Sequence, residues 1–327
     1  MCDKCLTGAA PAPLRPTRHA STGGGTYNAG SFSTPGPAMH IFRKCLALCV
    51  LLLASAAALA DPALWLVKSP TATVYLFGTV HVLPENTRWH YPALDEALAA
   101  SSALYVEEDD DDPATMQPLV MQYGMDARHP LSARLDDADR ARLDGAAKAI
   151  GLPGGAAALD PMKPWLAALT ITVAPIVKAG YDPASGADRQ LEQEFRAAGK
   201  PVDAFETAER QIRYFADLPP SLQTDLLRNV LDDYAKGPAQ IRTLVHAWQA
   251  GDVATIAKTV NGSMREHYPG LYKALLVERN RNFARQIAAL LQRGGTVFVA
   301  VGAAHLAGPD SVQAQLAKLG IATRRVH

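Results

Sequence analysis

Short apolar, β-branched runs occupy both ends of one long region of this chain, and the stretch between them has the period of helices. Leu64–Val67, Thr73–Phe77 and Ala103–Glu107 come first; Thr296–Val301 and Ile321–Val326 come last. Runs of this kind read as strands. Strands must pair and must bury a face, so the two ends of the region are expected to meet in one sheet. Between Pro113 and Gly295 the apolar spacing predicts helices over Pro113–Tyr123, Asp136–Ile150, Lys163–Lys178, Gly186–Ala198, Ala208–Asp217, Pro220–Tyr234, Pro238–Ala250 and Leu271–Arg293, interrupted by a strand at Pro201–Phe205. The predicted fold class is α/β, with a sheet built from N- and C-terminal strands and a largely helical middle insertion.

Two of the strands end in the same way. Gly78-Thr79-Val80-His81 follows Thr73–Phe77, and Gly302-Ala303-Ala304-His305 follows Thr296–Val301. Glycine tolerates positive φ and lets other backbone approach closely, so a glycine three residues before each histidine fits a sharp turn off the strand. The histidines then fall beyond strand ends, where open α/β sheets place their ligands. His81 alone reads equally well as a structural histidine. The pair points to a shared site, because imidazole is the commonest metal ligand. Glu107 closes a third strand of the same construction and is the candidate metal ligand or general base. If the strand persists, alternation puts Asp109 on the Glu107 face, as a supporting partner, and Glu108 on the other. The acidic run of which they are part also reads as a solvated loop.

The first 60 residues differ in composition from the rest. Residues 1–38 are rich in Gly, Pro, Ser, Thr and Ala and read as a disordered extension or as sequence upstream of a misplaced start. Residues 39–60 read as a signal peptide: Arg43 and Lys44, then an apolar run, then Ala58-Leu59-Ala60 in a small-x-small arrangement. Cleavage near Ala60 would give an exported protein, periplasmic or secreted. An uncleaved anchor is the alternative, and the only contact with a membrane that the sequence suggests. Residues 61–327 are then a single domain.

All four cysteines precede Ala60, so that domain has neither disulfides nor thiolate ligands. The chain carries 32 basic and 32 acidic side chains; five basic and one acidic lie in the first 60 residues, which leaves 27 basic and 31 acidic and a net charge of −4. No electrostatic footprint for nucleic acid exists there. The signatures of serine hydrolases, nucleotide-binding loops and HExxH metalloproteases are also missing.

At these residues the chain resembles the TraB/GumN family, which also includes the Tiki metalloproteases. The resemblance rests on Tyr75–His81, on Ala99-Ala100-Ser101 with Leu104–Glu107, and on Phe298–Leu306 with Gly308. Gly186-Ala187-Asp188, Phe205-Glu206-Thr207 with Gln211, and Arg279-Asn280 add to it, with Phe205 standing where leucine is usual. The resemblance implies one site holding His81, Glu107 and His305, with Glu206, Arg279 and Asn280 as supporting polar groups beside Gly78 and Gly302. In the Tiki branch it implies peptide hydrolysis dependent on a divalent metal.

The expectation is therefore an exported metal-dependent hydrolase acting on a peptide or protein. His81, Glu107 and His305 would hold zinc, manganese or cobalt, and Arg279 would stabilise developing negative charge. The competing expectation is a non-catalytic periplasmic protein of the cell envelope that binds a metal or ligand in the same cleft. A weaker third reading is a structural partner protein using the helix from Leu271 as its contact surface.

Overall fold

A computed structural model describes residues 61–108 and 113–327. The expected extension and signal peptide, and Asp109, lie outside the described residues. Among the described residues eight strands form: β1 (Leu64–Lys68), β2 (Ala72–Thr79), β3 (Leu83–Pro84), β4 (Leu104–Val106), β5 (Tyr181–Asp182), β6 (Val202–Ala204), β7 (Gly295–Gly302) and β8 (Thr323–Arg325). Six make one sheet in the order β6-β4-β7-β2-β1-β8, and β3 pairs with β5 apart from it. The N- and C-terminal strands of the described residues do share a sheet, and they meet at its centre: β2 runs parallel to β7 with Thr79 opposite Gly302. β4 is parallel to both β7 and β6. Four neighbouring strands therefore end on one edge, while β1 returns antiparallel to β2 and carries β8.

The helices are α1 (Pro92–Ala100), α2 (Pro113–Gly124), α3 (Asp137–Ala149), α4 (Pro164–Lys178), α5 (Ala187–Ala197), α6 (Ala208–Ala216), α7 (Pro220–Asp233), α8 (Gly237–Gln249), α9 (Val253–Ile256), α10 (Ser263–His267), α11 (Pro269–Tyr272), α12 (Glu278–Arg293) and α13 (Val312–Lys318). Two π turns, Ala257–Gly262 and Lys273–Val277, interrupt the helical path of residues 253–293. The expected helix from Leu271 is thus continuous to Arg293 but changes register just before Arg279.

Alternation along the strands divides the core. Val74 and Leu76 with Val299 and Val301 face α12 and α13, where Phe283, Ile287, Leu290 and Leu316 are buried. Phe77 with Phe298 and Ala300 faces α1 and α5, against Leu94, Leu98, Leu191 and Phe195, with Trp248 of α8 also packed there. Helices on both faces are what buried parallel strands require. A separate cluster around Leu143, Trp165, Ile171 and Leu227 holds the helical region together.

Within that region Asp139 has a side chain only 3% exposed, joined to Arg228 (2.7 Å) and to Arg142. Burial works against the carboxylate, and the two guanidinium groups overcome it and lower its pKa. A lowered folded pKa stabilises above the unfolded value and is lost as pH falls through the folded one. Asp139→Asn is expected to cost about 1.5 kcal/mol near neutral pH and progressively less toward acid. Urea unfolding at two pH values checks this; an equal loss at both would contradict it.

Candidate active site

The C-terminal edge of β2, β4, β6 and β7 carries one polar residue after each strand: His81, Glu107, Glu206 and His305. Bonds between backbones continue past the strands, from Phe205 N to Val106 O (3.0 Å) and from Glu206 N to Glu107 O (2.8 Å), so the two glutamates leave the sheet side by side. β4 itself stops at Val106. Alternation stops with it, and Glu108, expected on the opposite face, lines the same cleft as Glu107.

The two glycines are there for space. Neither Gly78 nor Gly302 has positive φ, contrary to part of the expectation, and Gly302 has φ −51°. A Cβ on Gly78 would come 3.0 Å from Ala303 Cα, so only glycine lets the His305 turn lie against β2. A Cβ on Gly302 would stand 3.1 Å from Glu107 Oε1, 3.6 Å from His81 Nε2 and 3.7 Å from His305 Cδ2. Three functional side chains thus crowd one small space over a single α-carbon.

Arg279 ties the carboxylates together. Its Nε and Nη2 donate to Glu206 (3.2 and 2.7 Å), Nη2 also donates to Glu107 Oε2, and Nη1 faces His305 Nε2 at 3.3 Å. The guanidinium lies against the Phe283 and Tyr214 rings, 5.4 and 5.2 Å from their centroids. Burial opposes its charge, but Glu107 and Glu206 raise its pKa further, so it remains a cation. Glu107, 8% exposed, also accepts the Gly302 N–H at 2.6 Å. Burial alone would raise its pKa; the charges of His305, Arg279 and His81 and the Gly302 bond bring it down to about 2. His305 is protonated at the low pH where Glu107 takes up its proton, so it and Arg279 are together the charges chiefly responsible.

The two histidines differ. His305 is buried, its Nδ1 donating to Asn280 Oδ1 at 2.5 Å while Asn280 Nδ2 donates to Asp310 O at 2.8 Å. Those bonds leave Nε2 as the nitrogen with the lone pair, which is turned to Arg279 Nη1. Burial lowers His305 to about 4 against the attraction of Glu107, with Arg279 and His81 repelling a second charge. His81 has a side chain 66% exposed, and its Nδ1 meets Asp188 Oδ2 at 2.5 Å. Crowding by protein opposes its charge, but Asp188 and Glu107 outweigh this and raise it to about 9, with water screening part of the attraction.

Asp188 stands at the N-terminus of α5, where Ala187 N donates to Val80 O at 2.9 Å. A Cβ on Gly186 would come 2.5 Å from His81 O, so that glycine lets the helix start touch the His81 backbone. The orienting role of Asp188 escaped the sequence reading, although the Gly186-x-Asp188 pattern was its signal. Asn280 was expected only as a supporting group, and it fixes the His305 tautomer.

A cleft of about 240 Å³ opens on this edge, lined by Thr79, His81, Glu107, Glu108, Asp188 and Glu192 among others. His305 and Arg279 are not among its lining residues; they stand behind Glu107. The structure therefore gathers His81, Glu107, His305, Glu206, Arg279, Asn280, Gly78 and Gly302 into one centre with an exposed and a buried side.

In donor type this centre fits a divalent ion. Each imidazole has Nδ1 anchored, on Asp188 or Asn280, as metal-bound histidines do, and Glu107 adds a carboxylate. In spacing it does not yet do so: both Glu107 oxygens are bonded, and among the described residues no three His, Cys, Asp or Glu side chains are close enough to share an ion.

Fold and site define an α/β protein with a histidine–glutamate–arginine centre on the carboxyl edge of its parallel strands. The model of the TraB/PrgY/gumN family matches residues 63–325, and the chain belongs to that family. It is 22% identical over 266 residues to an uncharacterized protein of Treponema pallidum (strain Nichols), covering 76% of this chain and 78% of that one. It is 25% identical over 250 residues to the uncharacterized protein YbaP of Escherichia coli (strain K12), covering 74% and 87%. No solved structure matches it.

Proposed function

We propose that this protein is an exported, metal-dependent hydrolase that cleaves peptide bonds in the cleft beside His81 and Glu107. The observation that supports the reading is the crowding of His81, Glu107 and His305 around the Gly302 α-carbon, next to an open cleft. A zinc, manganese or cobalt ion held by His81, His305 and Glu107 would supply a water of lowered pKa and polarise the scissile carbonyl.

The chain's own groups have separable tasks. Asp188 and Asn280 hold the two Nδ1–H groups, so that both Nε2 atoms are presented to the centre. Glu107 brings a fixed negative charge to the cleft wall. Arg279 has its N–H groups turned to Glu206, Glu107 and His305, so it acts by setting the position and charge of Glu107 and not by touching substrate. The signal-like segment before Ala60 supports export, and the net charge of residues 61–327 offers nothing to nucleic acid.

Metal analysis of the purified protein, followed by peptide-library cleavage with and without chelator, tests this. Cleavage is expected to stop with chelator and to fall about 100-fold or more in Glu107→Gln. Cleavage that survives both His81→Ala and His305→Ala would remove the catalytic assignment. Bound metal without cleavage would favour a non-catalytic envelope protein that binds a metal or ligand, a reading supported by both Glu107 oxygens already accepting bonds, from Arg279 and from Gly302 N–H.

A further inference from the structure

A second cavity, of about 290 Å³, lies in the helical region between α4, α7, α8 and the π turn Ala257–Gly262. Most of its wall is apolar, from Ile171, Pro175, Ile176, Val230, Ile241 and Leu244, and Gln240 and Thr259 are among its few polar groups. Among the described residues, no Asp, Glu, Lys, Arg or His lines it. Val173 and Val177, beside Thr172 and Ile176 in α4, are 47% and 48% exposed. Pro175 lies inside α4 and has no N–H for the carbonyl of Ile171, another wall residue, which leaves a backbone acceptor in that wall without its helical donor.

Size and lining are those of a small-molecule site: concave, mostly apolar, with a few polar groups that fix orientation. The lining carries no charge among the described residues, and that selects the occupant. An ionic head would lose its water and find no counter-charge among them, whereas a hydroxyl or amide would lose little.

The cavity is linked to the candidate active site by the π turn Ala257–Gly262. Thr259 and Val260 line it, and the next residue in the same π turn is Asn261, 4% exposed. Asn261 Nδ2 donates to Ala304 O and to Ala307 O, both at 3.1 Å, which brackets His305 in its turn. Its Oδ1 has no partner among the described residues, so those two bonds are the side chain's whole hold. A π turn carries a residue more than an α turn, and such turns concentrate at functional sites. A ligand that displaces Val260 displaces the strut under His305.

We infer that this cavity binds an uncharged molecule with one apolar chain and one hydrogen-bonding head, and that its occupancy changes the setting of His305 through Asn261. The site stands apart from the proposed cleft and does not depend on hydrolysis.

The test is calorimetric titration of the full chain with decanol, with decanoate and decylammonium as charged homologues. Decanol is expected to bind saturably at one site, and both ions at least about tenfold more weakly. Ile241→Trp fills the cavity and is expected to abolish binding. Intermolecular NOEs in the native protein, from decanol to the methyls of Ile171, Val230 and Ile241, provide a check that does not depend on how that variant folds. At saturation the His305 ring signals should shift in the native protein but not in Asn261→Ala, which retains binding. Absent saturation, equal binding of the ions, NOEs elsewhere or an unmoved His305 ring would each overturn the inference.

Discussion

Arg279→Met is expected to lower the free energy of unfolding by about 3–5 kcal/mol, the largest loss for any single change at the site. The side chain is 13% exposed and sits between Glu107 and Glu206, whose own side chains are 10% and 1% exposed. Its removal leaves two buried carboxylates without the guanidinium between them, and the methionine cannot donate the bonds that Glu107, Glu206 and His305 Nε2 receive. Arg279→Lys keeps the charge but loses the fork, so it should recover only part of the loss. Urea denaturation of both variants measures this. A loss below about 1 kcal/mol in the methionine variant, the range of an exposed pair, would show that the guanidinium is not buried between the carboxylates.

The second large effect is expected at Gly78→Val, about 3 kcal/mol or more, with His305 displaced. The added Cβ would stand 3.0 Å from Ala303 Cα and 3.2 Å from Ala303 Cβ. Neither side has room to yield. Gly78 O accepts the Trp248 indole N–H at 2.6 Å inside the core, and the turn is held through His305, whose ring meets the edge of Phe283 at 5.2 Å and bonds Asn280. Gly302→Ala provides the contrast: its Cβ would meet the Glu107 carboxylate at 3.1 Å, a side-chain atom that can shift, so the stability loss should be nearer 1 kcal/mol. Histidine-ring NMR with thermal unfolding distinguishes the two. A Gly78→Val protein of native stability, with an unmoved His305 signal, would contradict the close packing of β2 on that turn.

Much of this was legible because the sheet announces itself locally. β2 and β7 are short apolar, β-branched runs that end in the same glycine-to-histidine spacing, and β4 ends one residue before Glu107. Parallel strands that end together put those residues on one edge whatever lies between them. Arg279 was not legible from its neighbourhood, since Glu278-Arg279-Asn280-Arg281 reads as a solvated face. Counting back from Phe283 and Ala284, which are buried, places Arg279 and Asn280 on the inward side of α12 by the three- and four-residue rule, a signal the charges masked. Asp188 and His81 lie 107 residues apart and no local pattern joins them. The two π turns shift register through a single extra residue, which apolar spacing does not resolve.

A double-mutant cycle between Glu107→Gln and Arg279→Met, read by urea unfolding, tests the convergence most directly. Residues 172 positions apart in sequence are held here in a buried charge-assisted contact. A coupling of about 2 kcal/mol or more is the predicted result. Losses that add to within about 0.5 kcal/mol would mean that the two side chains do not meet, and the common centre at the strand edge would not exist.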